Sequence, residues 1–352
     1  MDDKTSSYNA QKSKENIEKL RKILKELPSY SKDYFRAKET TTSIRTRVSY
    51  AYDLRVFYQF LQNSNPAIKK QELKEFTLYD LNQLTSSNIE EYQEYLKLYQ
   101  TDNGQQTNSE SGIARKISSL RSFMNYFYKK QLLDSNPSML VDIPKIHDKA
   151  IIHLEPDEIA ILLDNVESYG TTISGHNRAY YEKTKLRDLA LITLLLGTGI
   201  RVSECAGLDL NDINFRDNSL RIIRKGDNEE ILYFGEEVEK ALRNYINGAR
   251  TMIHALTGHE NVLFYSMQKR RMSVAAIEDI VKKYAGKSIP QKRITPHKLR
   301  SSFGTTLYQE TGDIYLVADV LGHKDVNTTR KQYAAINESR RKIAASVVKL
   351  RE

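Results

Sequence analysis

The sequence predicts a mainly α-helical protein with a small β component, and three observations predict it. At 352 residues the chain is too long for one ordinary domain and suits two. Apolar residues recur at helical three-four spacing through most of the chain and alternate like strands only between Ser219 and Phe234. Hydrophobic residues make up 39% and charged residues 28%, enough apolar material for packed cores beneath a solvated surface.

The elements follow in order. Residues 1–40 read as a helical leader, in which Ile17, Leu20, Ile23, Leu24 and Leu27 line one face of a helix from Glu15 to Leu27 that Pro28 ends. Thr42 or Ser43 can cap the next helix, whose apolar positions Ile44, Val48, Ala51, Leu54, Phe57 and Leu61 run up to Asn65-Pro66. A third helix, Ile89 to Leu98, follows Ser87. The polar, glycine-containing stretch Thr101 to Ser111 reads as a loop. Gly112 to Gln131 is again helical, with Ile113, Ile117, Leu120, Met124 and Phe127 on one stripe, and no segment of this half alternates like a strand. Residues 41–140 thus form a helical domain. Ser135-Asn136-Pro137 and Ile143-Pro144-Lys145 punctuate the chain too closely for a packed element, which places a linker at 141–153; the alternative is a surface loop inside one domain.

The second domain spans 154–352. It restarts with Leu154-Glu155-Pro156 at a helix N-terminus and continues through Ile159 to Val166. Residues 167–184 read as a polar insertion, and Leu186 to Leu196 as a helix buried on most sides. Ser219 to Arg224 and Glu230 to Phe234 alternate around a turn at Lys225 to Asn228, a β-hairpin. Everything after Glu236 returns to helical period.

Several classes are excluded at this level. One cysteine, Cys205, permits no disulfide framework and no cysteine-rich zinc site, and it reads as a small core residue. The seven histidines lack metal-binding spacing. The first twenty residues contain no apolar signal region, and the longest apolar run, Leu189 to Leu196 broken by Thr193, is far too short to span a membrane. A cytoplasmic protein is expected. The net charge of +9 is divided almost evenly: 23 basic against 18 acidic residues up to Lys145, and 31 against 27 beyond it. Two folded regions sharing an excess suit a protein that touches a polyanion with both, although a basic protein without such a partner would look the same by charge.

Chemistry-bearing residues concentrate between Ile294 and Tyr333. His297 and Arg300 share one helical face behind Thr295-Pro296. Leu321-Gly322-His323 reads as a helix end with a glycine stop, and Tyr333 lies ten residues on. Elsewhere, Arg201 follows Gly197-Thr198-Gly199, where the buried helix ends, and Lys225 sits at the hairpin turn. Each has an ordinary structural reading: a surface pair, a helix cap, a helix-end cation, a solvated lysine, one tyrosine among 22. Together they supply cations for a phosphoryl transition state, proton-transfer groups and an oxygen nucleophile.

In order and spacing, Arg201, Lys225, His297-x-x-Arg300, His323 and Tyr333 resemble the active-site set of the tyrosine recombinases, the phage-integrase and Xer superfamily. Gly197-Thr-Gly-Ile-Arg201-Val-Ser-Glu204 is similar to the family's first arginine box. Thr295-Pro-His297-Lys-Leu-Arg300-Ser-Ser-Phe-Gly-Thr305 is similar to its second, and Leu321-Gly-His323 with Thr328-Thr329 and Tyr333 to its nucleophile region. In the first half, Tyr50-x-x-Asp53-Leu54-x-x-Phe57-x-x-Phe60-Leu61, Leu120-Arg121-Ser122-Phe123 and Asn136-Pro137 resemble the family's core-binding domain and linker. The likeness covers about residues 40 to 345 and is nearest to the single-recombinase Xer type, with the integrases of mobile elements as neighbours.

The resemblance implies a SAM-like helical core-binding domain and an α/β tyrosine-recombinase catalytic domain. It implies that Tyr333 attacks a DNA phosphodiester to give a 3′-phosphotyrosine, and that recombination passes through a Holliday junction. Arg201, Arg300 and His323 would hold the phosphate, His297 would exchange the tyrosyl proton, and Lys225 would protonate the leaving 5′-oxygen, with Glu204 buttressing the site. No metal and no cofactor is implied. The partners implied are double-stranded DNA and a homotetramer on two DNA sites, with a DNA translocase or an element-encoded directionality factor as the accessory protein and no membrane. Candidate DNA contacts of the first domain are Arg45, Arg47, Arg55, Arg115, Lys116 and Arg121. The apolar stripe Ile343, Ala344, Val347 and Val348 would dock in trans on a neighbouring protomer.

Three features depart from the family pattern. The spacing from His323 to Tyr333 is ten where nine is usual, Ser301 stands where histidine is common, and Asp227 to Glu230 is acidic where the hairpin is commonly basic. Two rival functions remain: a type IB topoisomerase, which shares the covalent step but not the pairing of two sites, and a non-catalytic DNA-binding protein, which would not need all six residues.

Overall fold

The computed structural model describes residues 8–64, 70, 72–101, 104–145, 152–224, 228–323 and 325–333; at 9, 64, 328 and 331–333 it describes the backbone alone. The chain forms two units, Met1–Asp148 and Lys149–Glu352.

In the first unit the amphipathic stripes become helices and face one another. α1 (Tyr8–Glu26) begins about two turns before the expected start, through polar residues with no apolar period. α2 (Ser31–Ala37) follows Pro28, and α3 (Ile44–Ser64) starts after Ser43, whose hydroxyl accepts from the Thr46 amide at 3.2 Å. α4 (Leu78–Asn82) is closed by Thr77 and Asp80, each accepting from the other's backbone amide. α5 (Ser86–Lys97) and α6 (Glu110–Lys129) complete the set. The predicted stripe of α6, from Ile113 to Phe127, is buried throughout. Residues 20–35 of the leader share one core with α3, α5 and α6, so the leader is built into the unit.

That core is aromatic. Tyr34 and Phe123 meet edge-on at 5.2 Å, as do Phe57 and Tyr92 at 5.1 Å. Some of the polar tips are satisfied inside it: the Tyr30 and Tyr58 hydroxyls pair at 2.8 Å, and Tyr34 donates to Ser122 at 2.9 Å.

One expectation for this half fails. The stretch from Thr101, expected as a loop, contains a β-hairpin, β1 (Leu98–Thr101) with β2 (Gly104–Thr107), antiparallel with Tyr99 opposite Gln106. Only Tyr99 of the hairpin packs against the core, which leaves no apolar alternation for a sequence reading to detect.

The second unit is organised on one helix. α7 (Pro156–Ser168) leads to α8 (Gly175–Thr198), whose residues 190–195 are almost wholly buried. Then come α9 (Val202–Gly207), β3 (Ile213–Asn214), β4 (Ser219–Ile223), β5 (Glu229–Tyr233) and α10 (Glu236–Asn247). The strands form one antiparallel sheet in the order β3-β4-β5, with Leu220 opposite Leu232. α11 (Val274–Ser288), α12 (Pro296–Thr311), α13 (Ile314–Leu321) and α14 (Val326–Tyr333) follow. α7, α10 and α12 pack around α8.

Two expectations are corrected here. The polar insertion 167–184 is largely helical: a 3-10 turn at Tyr169–Thr172 and the first ten residues of α8. Tyr181 anchors it, 2% exposed, with its hydroxyl donating to the Val166 carbonyl at 3.0 Å. Residues 249–273 do not return to helix. They form an irregular segment held by arginine side chains: Arg250 donates to the Val262 and Glu260 carbonyls, and Arg271 to those of Ala206 and Leu208. Those bonds replace a helical ladder with long-range contacts that no local pattern announces.

A buried ion pair ties the unit together. Arg187 and Asp188 meet at 2.6 Å, Tyr284 of α11 donates to Asp188 at 2.9 Å, and Arg187 donates to the Tyr265 carbonyl at 2.9 Å. No described helix is long and apolar enough to cross a membrane.

Candidate active site

The site grows from two helix ends that meet. α8 stops because Gly199 takes a left-handed conformation, φ 60°, and a Cβ there would lie 2.5 Å from the Phe303 ring of α12. The turn delivers Arg201 to the start of α9. There Glu204 accepts from the Arg201 amide at 2.9 Å through one carboxylate oxygen and from its guanidinium at 2.8 Å through the other. Glu204 is nearly buried, whereas more than a third of the Arg201 side chain remains exposed. The carboxylate therefore fixes the arginine from beneath and leaves a face open.

α12 begins at Thr295-Pro296 as predicted and places His297 and Arg300 one turn apart. Arg300 is buried, at 5% exposure, and donates to the Gly199 carbonyl at 2.5 Å and also to that of Leu321. Arg201 donates to Leu321 at 3.4 Å and to Gly322 at 3.1 Å. Two guanidiniums far apart in sequence thus converge on the carbonyl end of α13, where unpaired carbonyls and the negative end of the helix dipole favour cations.

α13 ends at Gly322, φ 58°, as the glycine stop predicted, and His323 follows on the turn with its amide donating to the Ala318 carbonyl at 2.9 Å. Its ring is oriented by Thr329 of α14, Nδ1 and Oγ1 being 2.7 Å apart. Burial holds the His323 imidazole down to about 4, assisted by the guanidiniums of Arg300, Arg201 and Arg224. His297, on the more open edge, is also held below the ordinary imidazole range, first by partial desolvation and then by Lys298, Arg300 and Arg201. Both rings are therefore neutral at pH 7.

The structure thus brings Arg201, Glu204, Arg300 and His323 together, with His297 beside them. Tyr333 ends α14, one element beyond His323; its side chain and all of Lys225 lie outside the described residues. Cys205 is buried, its thiol pushed up to about 12 by burial and then by Glu204, which disfavours the thiolate. Two residues escaped the sequence reading. Thr329 was visible only as part of a Thr-Thr pair, and Arg224 not at all; its guanidinium donates to the Val320 carbonyl at 2.8 Å and pairs with Glu230 at 2.7 Å.

The six basic candidates of the first unit differ in availability. Arg45 is exposed. Arg47 pairs with Glu39 at 3.1 Å, and Arg55 with Glu26 at 3.2 Å. Arg115 forks the buried Asp53, Nη2 to Oδ1 at 2.7 Å and Nη1 to Oδ2, with half of its own side chain exposed. Lys116 is nearly buried, donates to Asn108 at 3.0 Å and lies 3.9 Å from Asp53. Arg121 donates to the carbonyls of Ser138, at 2.7 Å, and Val141, and so pins the outgoing chain to α6.

Both units of the chain are similar to known proteins. Residues 153–340 match the phage integrase family, and residues 26–143 match the phage integrase SAM-like domain. The tyrosine recombinase XerC of Syntrophus aciditrophicus is 33% identical over 231 residues, 65% of this chain and 70% of the relative. XerD of Staphylococcus epidermidis is 33% identical over 63% of this chain and 71% of its own length. Among solved structures, the XerH recombinase bound to its difH substrate superposes with a TM-score of 0.61 at 21% identity, covering 86% of this chain and 79% of that one. The Tn1549 transposon integrase in complex with transposon right end DNA gives 0.64 at 20% identity, over 91% and 98%. The chain belongs to the phage integrase family, the tyrosine recombinases, enzymes that break and rejoin DNA.

Proposed function

We propose that this protein is an Xer-type site-specific recombinase that exchanges DNA strands through Tyr333 and resolves chromosome dimers. What supports the catalytic reading most is the convergence of Arg201 and Arg300 on the Leu321 carbonyl beside His323. In the reaction, the Tyr333 oxygen forms a bond to the scissile phosphorus and its proton passes to the neutral His297. The P–O5′ bond breaks, and Lys225 protonates the departing 5′-oxygen. Charge on the nonbridging oxygens is met by Arg201 and Arg300 and by Nε2–H of His323, the tautomer that results when the Thr329 hydroxyl donates to Nδ1. Arg201 is the more exposed guanidinium, so an entering phosphate meets it first and Arg300 lies deeper. A new P–O bond replaces the old one, so the strand is resealed by the reverse attack of a 5′-hydroxyl.

Both units would contact duplex DNA, and two duplexes would be joined by a homotetramer, each C-terminal stripe docking on the next protomer in cyclic order. The Xer role rests on the XerC and XerD relatives and on the length of chain they share with this one. The testing experiment is selection of bound fragments from the host genome, followed by mapping of the covalent adduct on them. Adducts near the replication terminus are the expected result. Adducts at the ends of a mobile element would replace this role by that of an integrase, and no SDS-stable adduct at all would refute strand exchange.

A further inference from the structure

The carbonyl end of α13 is met by three arginines. Besides Arg201 and Arg300 on Leu321 and Gly322, Arg224 donates to Val320, so three successive carbonyls each receive a guanidinium. Arg224 comes from another direction, the end of the sheet's middle strand directly after β4, where its amide donates to the Asn228 carbonyl at 2.8 Å. Its side chain is only 9% exposed and is charge-balanced by Glu230 at 2.7 Å. Its Nε and Nη1 are buried without a hydrogen-bond partner. Orphaned buried donors are rare and call for a reason.

The packing supplies one. Arg224 Nη1 lies 1.1 Å from where a Cβ on Gly322 would stand, so the guanidinium is pressed flat against the backbone of the turn. Only glycine admits it there, and Gly322 also holds the left-handed φ of 58° that turns the chain into His323. His323 is thus held from two sides, by Thr329 on its ring and by the Arg224-supported turn on its backbone.

We propose that Arg224 is a positioning residue: it fixes the Gly322 turn against the sheet and so sets where the His323 ring meets the phosphate. This rests on the reading of His323 as a phosphate ligand. Arg224 itself, with its donors buried, does not reach the substrate. The acidic Glu230, where the family commonly carries a base, then serves as its counter-ion.

The test is a double-mutant cycle read by single-turnover adduct formation on a nicked core site. Arg224→Gln alone should slow cleavage about a hundredfold, the scale of an ångström's misplacement. In a His323→Ala background the same change should cost no more than about twofold, because the group it positions is gone. Arg224→Lys keeps the charge but loses the fork, and its rate should fall between wild type and Arg224→Gln. If Arg224→Gln costs the same factor in both backgrounds, or nothing in the wild-type one, the proposal is overturned. If His323→Ala alone cleaves at the wild-type rate, the failure belongs to the reading of His323, and the positioning role falls with it. Should Arg224→Gln melt at a lower temperature, the cycle run with Arg224→Lys makes the same comparison.

Discussion

His323 is held neutral by competition between its ordinary basicity and its surroundings. Burial and the cations Arg300, Arg201 and Arg224 bring its imidazole down to about 4. The folded value lies below the unfolded one, so between those two values the unfolded chain binds the extra proton, and stability falls as pH drops through that window. An NMR titration of the free protein should therefore find His323 still neutral at pH 5.5, and a midpoint near the ordinary imidazole value would contradict the arrangement. The placements at this scale were partly legible. Arg201 and Glu204 stand three apart at a helix start, and Gly322 before His323 announced the stop that the structure contains. Arg224 was not legible, because one arginine ending a strand acquires meaning only from the carbonyls and the glycine that folding brings against it.

Among the elements, those with a continuous buried stripe were read correctly and those held by polar contacts were not. α6 shows the first case, and β1–β2 and the arginine-held segment 249–273 show the second. The first unit also contains a polar joint between elements, in which Asp53 of α3, 3% exposed, depends on Arg115 of α6. Burial raises the Asp53 carboxyl above its ordinary value, and Arg115 and then Lys116 oppose that. Arg115→Ala should cost about 3 kcal/mol in urea unfolding, since it strands a buried carboxylate. Adding Asp53→Asn should recover most of that loss. If the single variant unfolds like wild type, the pair is incidental. If the double variant is stable yet binds core-site DNA more weakly, the half-exposed Arg115 is also a DNA contact.

For the whole molecule, the even spread of positive charge predicts that each unit contributes to DNA affinity, so binding should weaken steeply with salt as counterions are released. Asn136, Pro137 and Pro144 interrupt the chain shortly before it divides into two units after Asp148. The proposed assembly rests on the apolar stripe Ile343, Ala344, Val347 and Val348, which lies outside the described residues and would be costly to leave in water at about 25 cal/mol per Å². Deleting residues 340–352 should abolish pairing of two sites and recombination while single-site binding persists. A truncated protein that recombines normally would refute trans docking of this stripe. All of this depends on one nucleophile. The most direct measurement traps the protein on a nicked core site, digests the complex and identifies the nucleotide-bearing peptide by mass spectrometry. The adduct is expected on Tyr333 and lost in Tyr333→Phe with DNA binding intact; an adduct on any other residue, or one that survives in Tyr333→Phe, would contradict the account.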